Sequence, residues 1–282
     1  MDDDTFIRQA YLFILRRPAD DFGFDYFRNA LAGGMAREQV LDTLLYSDAL
    51  IDEVVSTNLA QSLHFSRKAF IQSLPRARRI LDLGGAAIEK PEGALVAMGY
   101  PYEFEQLTIV DLPNEARHLL YQSREAPDIV QSTRGPVRYR YHSMVDFSDF
   151  SDEAFDLVYS GQTIEHVTED EADLVFAGVA QALRPGGTFA LDTPNARATR
   201  LQQAEFIDPD HKVEYLAAEI VAKAHAAGFR VERTYGLNHL GPCWVQKRFD
   251  AAETARRRGL FDDAENCYLL AFLFRKPEAG LR

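Results

Sequence analysis

Two carboxylates and two histidine-bearing segments are the residues of this chain best suited to chemistry. Asp82 lies in a short apolar run, Ile80-Leu81-Asp82-Leu83, that is cut off by Gly84 and Gly85. Glycines there let the backbone turn sharply and approach a ligand with no Cβ in the way. Ala86 follows and is small enough to allow the same approach. A carboxylate just inside such a turn can reach a bound cation or an ordered water. Asp111 sits at the end of a second apolar run, residues 107–112. A carboxylate at the end of the second strand of a βαβ unit holds a ribose diol by two hydrogen bonds.

The histidines stand in two segments, Gln162-Thr163-Ile164-Glu165-His166 and Asp210-His211-Lys212-Val213-Glu214. The first follows an apolar run at 155–160, and the second precedes a helical stretch. Both therefore fall at the carboxyl edge of the strands, where open α/β sheets bind ligands. A hydroxyl that attacks a substrate must lose a proton, and histidine is matched to that task near neutral pH. His211 and His166 are the candidate bases. Gln162, Glu165, Asn195, His239 and Trp244 are the candidate acceptor contacts. Trp244 could stack on a sugar or ring, with a core position as the other reading.

These residues need a sheet whose strand ends converge. The runs at 80–83, 107–112 and 155–160 read as buried parallel strands. Residues 137–143 alternate, with Val137, Tyr139 and Tyr141 on one face and Arg138, Arg140 and His142 on the other. That makes a further strand, with His142 at its surface or end. Residues 184–195, 229–235 and 266–275 supply the remaining strands. Helices are expected at 91–98, 114–122 and 214–227, the last stopped by Gly228. Thr168-Glu169-Asp170-Glu171 forms a capping box for another. Residues 238–263 are long and polar and should cover the substrate end of the sheet.

The first 55 residues differ in kind. Phe6, Ile7, Ala10, Tyr11 and Ile14 recur at helical spacing, and a second helix fits 24–31. A third places Val40, Leu41, Leu44 and Leu45 on one face, and Ser47 could cap a fourth carrying Leu50, Ile51 and Val54. Each is too short to be stable alone, so they must share a core. Residues 57–73 read as a linking helix.

The strings R-R-I-L-D-L-G-G-A-A from 78, L-T-I-V-D-L from 107, F-D-L-V-Y-S from 155 and L-R-P-G-G-T-F from 183 appear in this order. Together they resemble the Rossmann-like class I S-adenosylmethionine-dependent methyltransferases, over about 78–277. The resemblance implies an α/β fold with a seven-stranded sheet whose last strand is antiparallel. It implies S-adenosylmethionine as cofactor and S-adenosylhomocysteine as product. Asp82, Gly84, Gly85 and Ala86 would form the turn around the cofactor, with Asp111 and Leu112 on the ribose. Met144, Val145 and Asp146 would reach the adenine, and Ser160 and Gly161 would close the site from the fourth strand. The family spaces its glycines alternately, whereas here Gly84 and Gly85 are adjacent and Ala86 and Ile88 take the later places. Gln162 to His166 is similar to a Glu-x-x-Glu-His motif that places a divalent metal near the acceptor in ubiquinone-biosynthesis O-methyltransferases; with Gln162, a neutral amide, in the place of the first acid no metal is expected, and Glu165 and His166 are the alternative ligand pair. His211 resembles a histidine at the entry to the penultimate helix of that group, in a loop facing the acceptor, and is slightly favoured as the base.

Residues 11–27, with R-E-Q-V-L-D-T-L-L-Y-S-D from 37, resemble a small helical domain of unknown function. In bacteria that domain is found beside surface-associated and glycan-related enzymes. Its Asp20, Gly23, Tyr26 and Phe27 are kept. The expected organisation is a helical module at 1–55, a linking helix at 56–77 and a methyltransferase domain at 78–282.

A chain of 282 residues with 46% hydrophobic and 26% charged residues is an ordinary globular composition, with no apolar run long enough to span a membrane. A net charge of −12 argues against non-specific nucleic-acid binding. Two cysteines make no disulfide framework, and an acidic Met-Asp-Asp-Asp start is unlike an export signal, so a cytoplasmic protein is expected. The expected function is O-methylation of a hydroxyl on a sugar, glycan or similar small polar acceptor. A quinol, phenol or amine acceptor is the first alternative. A non-catalytic nucleoside-binding adaptor is the second; a nicotinamide-dependent reductase is disfavoured, since G-x-G-x-x-G is absent.

Overall fold

Continuous apolar runs become strands buried on both faces, and here they join in one sheet. The computed structural model describes residues 1–15, 17–47, 50, 58–87, 90–118, 126–150 and 154–278. Among them are nine strands: β1 (Arg79–Leu83), β2 (Gln106–Asp111), β3 (Ile129–Gln131), β4 (Pro136–Tyr141), β5 (Phe155–Gly161), β6 (Leu183–Pro194), β7 (Arg230–His239), β8 (Leu260–Phe261) and β9 (Cys267–Arg275). Their order across the sheet is β3-β4-β2-β1-β5-β6-β9-β7-β8. Strand β9 is antiparallel to both β6 and β7, as expected of the last strand.

The expected seven strands are present, and the correction is two short edge strands, β3 and β8. Neither has a sequence signal of its own. In β3, Ile129 and Gln131 are exposed, and β8 is only two residues long.

Side-chain alternation divides the core into two layers. Ile80, Leu107, Ile109 and Leu157 point to the face covered by Phe70, Ile71 and Leu74. Leu81, Leu83, Val110 and Val158 point to the other, covered by Val175, Phe176 and Val179. The chain leaves β1 for β2 on one side and returns to β5 on the other. Strand order reverses there, and the carboxyl ends of β1 and β5 diverge into a crevice.

The N-terminal residues form α1 (Asp3–Ile14), α2 (Asp21–Ala32) and α3 (Arg37–Leu45). Ile7, Tyr11, Phe24, Phe27, Val40 and Leu44 make a cluster of their own. Asp2 and Asp20 cap the first two helices through the Thr5 and Gly23 amides, each at 2.8 Å. Because Asp20 is the cap, α2 begins three residues before the expected start at Phe24. A side chain at Gly23 would strike the Tyr11 ring, which fixes how closely α1 and α2 pack. Leu45 is 48% exposed and not part of the buried face. Leu50 donates its amide to Ser47 Oγ at 3.2 Å, but most of the expected fourth helix lies outside the described residues.

Helix α4 (Leu59–Gln72) is the expected linking helix, capped by Asn58. Next come α5 (Ala94–Ala97), α6 (Glu169–Ala182), α7 (Ala196–Gln202) and α8 (Ala217–Ala226). The capping box of α6 is complete: Thr168 N donates to Glu171 Oε2 at 2.9 Å and Glu171 N to Thr168 Oγ1 at 3.3 Å. Gly228 has the left-handed φ of 88° that stops α8. The helix expected at 114–122 begins instead as a single 3₁₀ turn, Asn114–Ala116, and residues 119–125 lie outside the described ones.

Residues 238–263, expected as a long polar cover for the substrate end of the sheet, carry regular structure. They finish β7 and carry α9 (Pro242–Gln246), α10 (Ala251–Arg256) and β8. Buried polar contacts hold them: Asn238 Nδ2 donates to Ser62 Oγ at 2.6 Å, and Ser62 Oγ to the Ala255 carbonyl at 2.6 Å.

Candidate active site

Gly84, directly after β1, has φ 74°, a left-handed conformation that only glycine adopts without strain. A side chain on Gly84 would strike Thr163, and one on Gly85 would strike the carboxylate of Asp82. The turn thus lies pressed between the loop after β5 and a carboxylate folded beneath it. Asp82 is 1% exposed, and its Oδ2 has no hydrogen-bond partner among the described residues. Burial pushes its pKa up to about 8; the charges of Asp111 and Asp192 add to this, and Arg67 opposes it.

Asp111 at the end of β2 accepts the Ala86 amide at 3.1 Å and the Leu112 amide at 2.8 Å. Arg117 Nε lies 3.3 Å from its Oδ1. Burial raises the pKa of Asp111, against the pull of Arg117 and the two amides.

A cavity of about 410 Å³ opens above this turn. Of the expected cofactor residues, Gly84, Ala86, Asp111, Leu112 and Met144 line it, together with Ser143. Gln162, Thr163 and His166 form its far side with Asp210 and Lys212. Asp82 and Gly85 sit beneath the lining. Ser160 is buried, its Oγ 2.5 Å from Thr163 Oγ1. Gly161 lies where a side chain would meet Tyr159 and Arg67. Val145 packs against the second core layer, and Asp146 bonds the Ser148 amide at 2.9 Å in its own turn. Ile88 lies outside the described residues.

The two histidine segments converge. The rings of His166 and His211 lie edge to face, 4.9 Å between centroids. Each directs Nδ1 at a carboxylate: His166 at Asp210 Oδ2, 3.0 Å, and His211 at Glu214 Oε1, 2.9 Å. The main chain ties the segments together, because Lys212 N donates to the Glu165 carbonyl at 2.8 Å. Glu165 is fully buried; its Oε2 accepts from Thr193 Oγ1 at 3.0 Å, and Oε1 has no partner among the described residues. Ligand atoms of Glu165, His166 and His211 all lie within 4.8 Å of one another.

Their environments push their pKa values apart. Burial raises Glu165 to about 7, despite its own backbone amide and the nearby His211. Burial lowers His166, and the charge on His211 lowers it further against the pull of Asp210. Burial also works against protonation of His211, but the Glu214 hydrogen bond and the charges of Glu165 and Glu214 outweigh it, so its pKa is raised.

Of the five expected acceptor contacts Gln162 lines the cavity, Glu165 is buried outside its lining, and Asn195, His239 and Trp244 stand apart. Asn195 caps α7 and donates Nδ2 to the Glu265 and Cys267 carbonyls at 3.1 and 2.8 Å, so its amide is committed to the fold. His239 binds the Gly241 amide at 2.8 Å through Nδ1 and faces Asp263 through Nε2 at 3.3 Å. Trp244 is covered by the Arg197 guanidinium, 3.6 Å from the ring centroid.

Sequence reading missed Arg67 of α4, Tyr159 of β5, Asp192 of β6 and the partners Asp210 and Glu214. Asp192 is fully buried and accepts from Arg67 Nε at 2.6 Å, Tyr159 Oη at 2.5 Å and Gln162 Nε2 at 2.9 Å. One signal was present: Asp192 interrupts an apolar strand, Phe189-Ala190-Leu191-Asp192, and a carboxylate there needs a partner when buried.

Residues 93–191 match a family model described as a methyltransferase domain. Over 118 residues the chain is 34% identical to a probable S-adenosylmethionine-dependent methyltransferase of Mycolicibacterium smegmatis. Residues 93–191 carry a methyltransferase domain, and the sheet has the fold of the class I S-adenosylmethionine-dependent methyltransferases. That alignment covers 40% of this chain and 45% of the relative, so the chain spans less than half of the relative's length. Residues 1–52 match a domain of unknown function, DUF4214.

Solved structures agree with the methyltransferase domain in fold. A possible histamine N-methyltransferase from Thermotoga maritima superposes with a TM-score of 0.53 at 13% identity, over 77% of this chain and 91% of that one. A chain from the complex of the Haloferax volcanii Trm112 methyltransferase activator with a putative methyltransferase gives 0.52 at 14% identity, over 81% and 96%.

The methyltransferase site fits its cofactor by its own chemistry. Gly84, Ala86, Asp111 and Leu112 face the cavity where the cofactor would lie, and Asp82 beneath it keeps a buried oxygen without a partner among the described residues.

Proposed function

We propose that the protein transfers a methyl group from S-adenosylmethionine to a hydroxyl of a sugar, glycan or similar small polar acceptor. When bound, the cofactor supplies an electrophilic methyl group on a sulfonium and leaves as a neutral thioether. The chain's own residues must then hold the attacking oxygen about 3–3.5 Å from that carbon and take its proton.

We assign the proton to His166 in preference to His211. The observation that carries this is its place in the cavity wall beside Gln162, with Nδ1 on Asp210. Asp210 holds the tautomer that keeps the lone pair on Nε2, and a lowered pKa keeps the ring neutral at pH 7. His211 is buried between Glu165 and Glu214 and has a raised pKa, which suits a counter-charge more than a base. A polar wall of Gln162, Thr163, Asp210 and Lys212 suits an acceptor rich in hydroxyls. We further propose the cytoplasm as its location, consistent with two buried free thiols and with no membrane-spanning helix among the described residues.

A second reading gives Glu165, His166 and His211 a divalent cation. It rests on their convergence within 4.8 Å and on the carboxylate behind each imidazole, the arrangement that orients metal-bound histidines.

The test is transfer of labelled methyl from S-adenosylmethionine to panels of sugars, phenols and amines. With an acceptor found, His166→Ala should lower turnover 10²–10⁴-fold and leave cofactor affinity intact. Turnover that chelation removes and magnesium restores supports the metal reading instead. Near-normal turnover of His166→Ala removes it as the base.

A further inference from the structure

Gln162 has φ 58°, an unusual conformation for a residue with a side chain, and it must be held there. Two bonds to one residue hold it: Gln162 N donates to the Asp192 carbonyl at 2.8 Å, and Gln162 Nε2 to Asp192 Oδ1 at 2.9 Å. A buried carboxylate accepts only, so the side-chain amide must present its nitrogen to Asp192. Asp192 is fixed in turn by Arg67 Nε at 2.6 Å and Tyr159 Oη at 2.5 Å. The next residue along, Thr163, occupies the space that a side chain on Gly84 would take, and both line the cavity. Ser160 Oγ, 2.5 Å from Thr163 Oγ1, keeps that side chain in place.

We infer that Arg67 and Asp192 are positioning residues for the cofactor cradle: they hold the left-handed turn at Gln162 that sets Thr163 against Gly84. Neither lines the cavity; they act through Gln162. This also accounts for glutamine at 162. A glutamate would keep the size, lose the donor and set a second carboxylate against Asp192. The guanidinium comes from α4, upstream of the residues matched to the methyltransferase family. A helix ahead of β1 therefore completes the cradle.

The inference rests on the proposed cofactor binding, and calorimetry of the full chain with S-adenosylhomocysteine separates the two. No heat with wild-type protein overturns the cofactor reading itself. Given wild-type binding, Arg67→Lys and Gln162→Glu should each weaken it at least tenfold with the circular-dichroism spectrum unchanged. Arg67→Lys keeps the charge and loses the planar fork. Adding Gln162→Gly to Arg67→Lys should recover most of the loss, because glycine adopts φ 58° without help. Wild-type affinity in both single variants, or no recovery with glycine, overturns the inference. If Arg67→Lys does not fold, the comparison at 162 decides: Gln162→Gly should bind more tightly than Gln162→Glu, and the reverse order refutes the holding role.

Discussion

Asp82 places a cost on the fold that varies with pH. Its carboxyl titrates near pH 8 in the folded chain and near 4 when unfolded. Between those values the folded chain binds the extra proton, so this group's contribution to stability falls as pH rises from about 4 to 8. Asp82→Asn mimics the protonated form at every pH. Its melting temperature should exceed that of wild type, by a margin growing from pH 5 to about pH 8, level above that, and worth several kcal/mol at the upper end. A margin that stays flat, or shrinks on going alkaline, sinks the burial explanation. At Asp111 the expectation concerns the ligand. Asp111→Ala should weaken S-adenosylhomocysteine by ~2 kcal/mol or more, the scale of hydrogen bonds to a charged group. Titration calorimetry reads this directly, and an unchanged affinity would take the ribose away from Asp111.

Elements were more legible than the contacts between them. Runs such as Leu107-Thr108-Ile109-Val110 announce a buried strand because every second side chain must find one of two apolar faces. Thr168 and Glu171 are equally plain, since a capping box is local chemistry. Thr168→Ala should cost about 1 kcal/mol, read as a lower urea midpoint at unchanged slope; an unmoved midpoint would show that the cap does not hold α6. Local pattern does not reveal a pairing across 125 positions, which is why Arg67 and Asp192 escaped notice. The same holds for Asn195: a polar residue at a strand end reads as a ligand contact until the Glu265 and Cys267 carbonyls are found facing it. His166 and His211 were legible as candidates, but the pairing of His166 with Asp210, 44 positions away, depends on how two loops meet.

At the scale of the whole chain, the N-terminal helices and the sheet bury separate apolar clusters, and α4 belongs with the sheet. Phe70 and Ile71 of α4 are fully buried in the same layer as Ile80 and Leu157, and Arg67 neutralises the buried Asp192. We therefore propose that the functional division falls before α4, ahead of the expected boundary at 78. A chain beginning at residue 58 keeps the Asn58 cap, the apolar face of α4 and Arg67. It should melt cooperatively and bind S-adenosylhomocysteine with the affinity of the full chain. A chain beginning at residue 76 leaves Asp192 buried with no guanidinium, a loss on the order of 3–5 kcal/mol for the broken pair alone. It also uncovers the sheet face that Phe70, Ile71 and Leu74 protect. It should show no cooperative melting transition and no binding. Should the chain from 58 fold and yet lose the nucleoside, the helical module would be part of the site and the division wrong. Should the chain from 76 bind normally, α4 would be a passive link, and Arg67 would have no part in shaping the cradle.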